Sequence, residues 1–172
     1  MEQGGQLSEN PLATRDRLLT LLAHEPGLHL REIPRRLGLS LRAARYHLES
    51  LEGDARVVLH RNDGFVRYFR AGEYDAEERA TIGALRVRGH REVVRALLRA
   101  NPLGFNELAM HSALSHSALA AALRKLQLEG LVTRQAAGRY LLLDAPRSTM
   151  CLALLRPTLG DALADSAVDV FG

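Results

Sequence analysis

Five arginines, Arg31, Arg35, Arg36, Arg42 and Arg45, fall within fifteen residues of one another, and the only acid among them is Glu32. A guanidinium is a permanently charged, planar fork of N–H donors. Its counterparts are phosphate oxygens and the paired O6 and N7 acceptors of guanine. Arginines gathered on one face are the electrostatic footprint of a polyanion binder; the plainer alternative is a solvated helix surface. Lys125 is the only lysine. Arg-for-Lys bias reflects genome composition as readily as function, so the placement of the arginines carries the argument and their number does not.

Other chemistry is poorly provided for. Metal ions need clustered ligands, but His24 and His29 are separated by a turn containing Pro26, and His111 and His116 also flank a turn. The single cysteine, Cys151, excludes an intramolecular disulfide. It is either an oxidant-sensing thiol or, more commonly, a small buried hydrophobe. No phosphate-binding glycine loop, nucleophile elbow or paired-carboxylate motif is present. No enzyme, metal or cofactor is expected. The first residues lack the pattern of a signal peptide, and no apolar run approaches the roughly 18 residues of a membrane helix. The expected setting is cytoplasmic and reducing, with no membrane partner.

The arginines must be placed by short helices. Leu18, Leu19, Leu22 and Ala23 recur at helical spacing in a segment that starts near Leu12 and stops at His24-Glu25-Pro26-Gly27. A second helix is expected from about Leu30 to Leu37, starting late or bending at Pro34, with Gly38 as its left-handed end. Ser40 is a good N-cap for a third helix over about Leu41 to Glu52. On that helix Leu41, Ala44, Leu48 and Leu51 should face the core, leaving Arg42, Arg45, Tyr46 and Glu49 outside. Val57-Val58-Leu59 and Phe65–Phe69 are β-prone, with a hairpin turn at Asn62-Asp63-Gly64. Helices in this order followed by a hairpin make a winged helix, with the hairpin as the wing.

The pattern then recurs. Residues 104–127 repeat residues 29–52 at a distance of 75 positions: Glu107 answers Glu32, Ser115 answers Ser40, and Leu123 answers Leu48. Each copy ends in a β-rich stretch with an Arg-Tyr pair, Arg67-Tyr68 and Arg139-Tyr140. Between the copies a helix should start at Asp75 with Glu78 as a capping box, run to about Val87, and break at Gly89. Pro146 should close the second copy. Residues 148–156 and 158–171 read as helical, with Leu152, Leu155, Leu159, Leu163, Ala167 and Val170 in one apolar stripe.

The segment from Leu28 to Glu52, with its Leu-Gly-Leu-Ser turn and following Arg-Tyr-Phe hairpin, resembles winged helix-turn-helix transcriptional regulators. The whole layout resembles the tandem winged-helix regulators of archaea and some bacteria, and the single units resemble those of the MarR and ArsR families. The resemblance covers residues 12–145 well and the tail loosely. It implies sequence-specific binding of double-stranded DNA, usually as a homodimer. The expected fold is mainly α with small β-hairpin wings. It comprises a disordered tail (1–11), a first winged helix-turn-helix domain (12–71), a helical connector (72–90), a second such domain (91–146) and a C-terminal helical segment (147–172) that either caps the second domain's own core or serves dimerisation by packing against another copy of the chain.

In such a fold Arg42 and Arg45 reach base edges or flanking phosphates from the third helix, beside Tyr46, and Ser40 offers a phosphate its hydroxyl or backbone N–H. Arg35 and Arg36 are assigned to phosphates, and Arg61 and Arg67 of the wing to phosphate or the minor groove. His47 is expected at the edge of the core. The second copy has His116, Ser117, Ala120 and Ala121 where the first has Leu41, Arg42, Arg45 and Tyr46. It is then either a weak DNA binder, through Ser117, Arg124, Arg134 and Arg139, or a protein-interaction module. For the whole chain a repressor is the leading expectation. A winged-helix scaffold without DNA specificity is the rival, and an RNA-binding winged helix a third option.

Overall fold

The computed structural model describes residues 10–62 and 65–155. The expected helix over 158–171, most of the N-terminal tail and the Asp63-Gly64 tip lie outside the described residues. The chain is mainly α-helical with small antiparallel hairpins. Its contacts divide into two compact units, Met1–Tyr74 and Asp75–Gly172.

The first unit comprises α1 (Pro11–His24), β1 (Leu28–His29), α2 (Glu32–Leu37), α3 (Leu41–Gly53), β2 (Val57–Asn62) and β3 (Phe65–Arg70). Asn10 caps α1 by accepting the Leu12 N–H at 3.1 Å, with Pro11 in the first helical position, where its missing donor is not needed. Leu18, Leu22, Leu28, Ile33, Ala44, Leu48, Leu51 and Val57 form the core. Each fully buried leucine is worth about 1.5–3 kcal/mol of transfer free energy. The helix expected from Leu30 begins at Glu32 instead, because Leu28 and His29 pair with Tyr68 and Arg67 as a third strand, giving the sheet order β1-β3-β2. Pro34 remains in the first turn of α2 and is buried. Gly38 ends α2 at φ 69°, and Ser40 Oγ starts α3 by accepting the Ala43 N–H at 3.1 Å. Arg17 reaches from α1 to cap the Leu37 carbonyl at 2.7 Å. The two helices are thus held at both ends of their turn. Leu41, expected in the core, is 45% exposed. It opens α3 before the helix reaches the packed layer that Ala44, Leu48 and Leu51 enter.

The second unit comprises α4 (Ala76–Leu85), α5 (Arg88–Arg99), α6 (Phe105–Ser112), α7 (His116–Leu128), β4 (Val132–Arg134), β5 (Tyr140–Leu142) and α8 (Ala145–Leu154). The Asp75–Glu78 capping box is formed, with both bonds under 3 Å. The break after α4 falls at Arg86-Val87 and not at Gly89, which lies within α5. Buried Arg91 explains it: its guanidinium donates to the Leu85 and Arg86 carbonyls at 3.1 and 3.0 Å, capping α4 from the next helix. Pro146 opens α8 behind the Asp144 cap and does not close the preceding unit. In place of a strand like β1, Leu103 bonds Tyr140 through both backbone groups, at 3.1 and 2.7 Å. Ser115 caps α7 through the Ala118 N–H at 3.3 Å, and Ala113 takes the left-handed position of Gly38 at φ 52°.

Candidate nucleic-acid interface

The solvent face of α3 carries Leu41, Arg42, Arg45, Tyr46 and Glu49, all exposed, above a buried face of Ala44, Leu48 and Leu51. Arg42 and Arg45, three positions apart, share one side of the helix. Tyr46 is 64% exposed, and its ring meets the half-buried His47 edge-on at 5.2 Å. The Ser40 oxygen accepts within the cap, which leaves its O–H proton available to an acceptor outside. Arg35 is exposed on α2. Arg36 is drawn aside by Glu25, 3.2 Å away.

Arg61 is exposed on β2. Burial raises the ionisation of the Tyr68 hydroxyl above the usual phenol range. Around it Glu52 and Glu49 push in the same direction, and Arg45 and Arg61 oppose them. The third helix and the wing therefore bring one arginine each to the surroundings of a single phenol. Arg67 is placed differently. It is half-buried and donates to the Gly27 carbonyl at 3.0 Å. Desolvation pulls its guanidinium below the ordinary arginine range, with Glu32 acting the other way.

The matching face of α7 presents Ser117, Ala120, Ala121 and Arg124, all exposed. Arg35 is answered by Met110, 75% exposed, and Arg36 by His111. Arg134 is exposed, its guanidinium 5.9 Å from the centre of the Tyr140 ring. Arg139 donates to the Pro102 carbonyl at 2.7 Å and lies 3.3 Å from Glu107. The fold is repeated with a different surface. Among the described residues no group of His, Cys, Asp and Glu is arranged to hold a metal ion, and no helix is long and apolar enough to cross a membrane.

Comparison with known families gives two matches in succession. Residues 12–82 match a family described as an N-terminal HTH domain, and residues 87–138 match the DprA winged helix domain. The chain is a tandem winged helix-turn-helix protein. Two solved structures are similar to this tandem winged-helix chain. One is the mRNA-binding domain of elongation factor SelB from E. coli in complex with SECIS RNA. It shows 16% identity over 80% of this chain and 100% of that one, with a TM-score of 0.33. The other is endosomal complex ESCRT-II (VPS22/VPS25/VPS36), with 12% identity over 82% of this chain and a TM-score of 0.33; the match spans 63% of that chain. Neither likeness bears on function. No curated protein matches. The two domain types support a DNA-binding role, and such domains are typically non-enzymatic.

Two kinds of residue in the tandem winged-helix protein escape a reading for charge alone. Glu32 and Glu107 accept the backbone N–H groups of His29 and Gly104 at 2.7 and 2.6 Å, fixing the start of each second helix. Their recurrence 75 positions apart was the available signal. Arg91, the buried arginine, had none, because its carbonyl partners depend on where α4 ends.

Proposed function

We propose that the protein is a DNA-binding transcriptional regulator that reads duplex DNA through α3 and the wing of its first unit. One observation supports this above the others. The exposed face of a well-capped α3 carries Arg42, Arg45 and Tyr46, where the same face of α7 carries Ser117, Ala120 and Ala121. In the proposed complex α3 enters the major groove, where a bidentate arginine–guanine contact is worth on the order of 1–3 kcal/mol of discrimination. Arg35, Ser40 and Arg61 bind phosphates. We assign no DNA contact to Arg36 or Arg67, whose guanidinium groups have intramolecular partners. The protein acts as a homodimer on a two-fold site, in the cytoplasm with the nucleoid, and represses by occupying promoters; a promoter fusion whose output rises when α3 is mutated tests the direction.

The test of DNA reading is a salt-dependent gel shift. Arg42→Ala with Arg45→Ala should abolish specific binding, whereas His116→Ala with Ser117→Ala should leave most of it. Each phosphate contact contributes about −0.9 to the slope of log affinity against log salt. Equal losses from the two pairs would overturn the asymmetry. Weak, salt-insensitive binding by the wild type would overturn the DNA reading itself. A second reading is carried by Met110, exposed in place of Arg35 beside the alanines of α7. In it, the second unit contacts protein. Undiminished DNA affinity after Arg124→Ala, Arg134→Ala and Arg139→Lys would favour it.

A further inference from the structure

Outside the apolar core, one polar arrangement is built twice. In the first unit Arg67 reaches from β3 to the Gly27 carbonyl, and Glu32 holds the His29 N–H. In the second, Arg139 reaches from the edge of β5 to the Pro102 carbonyl, and Glu107 holds the Gly104 N–H. Gly27 and Pro102 are 75 positions apart, as are His29 and Gly104, and Glu32 and Glu107. The two arginines are 72 apart because the second wing is tighter, yet each ends on the equivalent carbonyl. The backbone link beside each is short. Leu28 and His29 form a two-residue strand, supplemented by the Gly27 N–H on the Tyr68 carbonyl at 3.0 Å, and Leu103 makes only a bridge.

We propose that Arg67 and Arg139 are positioning residues, each bolting the returning strand of its wing to the turn in front of the helix-turn-helix. In the first unit the bolt holds Arg61 on the wing in register with Arg42 and Arg45 on α3. The inference rests on the DNA-binding reading above for its consequence, and not for the bolt itself. Two considerations separate this role from a direct phosphate contact. Arg67 is half-buried, with donor capacity already directed inward. The arrangement also recurs in the unit whose α7 lacks the readout arginines, so it follows the fold and not the DNA-facing chemistry.

The experiment is a double-mutant cycle in the full chain, with Arg67→Met (which keeps the stem and deletes the guanidinium) against Arg61→Ala. In wild-type background Arg61→Ala should lower DNA affinity several-fold and flatten the salt slope by about 0.9. In the Arg67→Met background the same change should cost about twofold or less, because the wing is no longer held against DNA. An undiminished cost of Arg61→Ala would overturn the proposal, since a residue serving only stability, or itself touching phosphate, leaves Arg61's contact intact. Hydrogen exchange without DNA supplies an independent readout. Arg67→Met should speed exchange at the Gly27 and His29 amides while α1 and α3 keep their protection, and unchanged exchange would overturn the bolt. If the wild type binds no DNA, the functional reading falls while the exchange result still decides the bolt. Should Arg67→Met fail to fold, Arg67→Lys, which keeps the charge and loses the fork, enters the same two measurements. It is expected to give intermediate effects, and wild-type exchange in it would count against the bolt.

Discussion

Arg42 and Arg67 are the same side chain in the same unit, set in opposite surroundings. Arg42 stands exposed on α3, where the proposed reading gives it a base edge to meet. Arg67 is half-desolvated, its guanidinium pulled below the ordinary range by burial, and it finds a carbonyl within the fold. Charge alone cannot tell the two apart; burial can. Cys151 makes the same point for a thiol. It is fully buried, and burial pushes its ionisation up to about 11 from 9.0. At pH 8 a buried thiol of this kind is protonated and shielded, as the small-hydrophobe role requires. Ellman's reagent should react slowly with native protein at pH 8 and promptly after denaturation; fast native labelling would contradict this. Between 9.0 and about 11 the unfolded thiol loses its proton before the folded one, so this group's stabilisation is complete below pH 9 and is lost as pH rises through 11.

Helix ends decide how these side chains are presented. Gly38 and Ala113 both close a second helix in left-handed conformation, at φ 69° and 52°. Nothing lies within 4 Å of a Cβ built on Gly38, so only backbone strain opposes a side chain there. Gly38→Ala should cost about 1 kcal/mol, and Ala113→Gly should stabilise by a similar or smaller amount, since non-glycine residues pay roughly 1–2 kcal/mol in this region. Thermal or urea unfolding of the two variants checks both signs. These ends were legible in the sequence because their chemistry is local: Gly38, Ser40, Ser115 and the Asp75–Glu78 box act within three or four residues. What escaped was long-range. The strand Leu28–His29 has no periodicity of its own, and its partners lie about forty residues away. The break at Arg86-Val87 depends on Arg91 folding back, and Pro146 looked like a stop although it sits in the first turn of α8. The exposure of Leu41 is not legible in the pattern, because helical spacing defines a face but not where along the helix the core begins. The exposure of Arg42 and Arg45 on one side of α3 is legible in helical phase; the inward turn of Arg67 is not, since Gly27 lies forty positions back.

At the scale of the molecule, two units share a fold and differ in surface. If only the first reads bases, methylation interference should mark one cluster of major-groove guanines per chain, and a dimer should show two such clusters related by a two-fold axis, about one helical turn or a multiple apart. Two clusters per chain would mean that α7 reads DNA as well. The repeated bolt has a further consequence for how such a protein can change. Its parts, Arg67 with Gly27 and Glu32 with His29, take nothing from the outer face of α3. On the proposed reading, scaffold and specificity therefore draw on separate sets of residues. The outer face can be rewritten, as the passage from Arg42 and Arg45 to Ser117 and Ala120 illustrates, without renegotiating the contacts that hold the wing in place. If the first unit alone reads DNA, a duplicated chain of this kind keeps one copy at its task while the other is free to acquire a new partner.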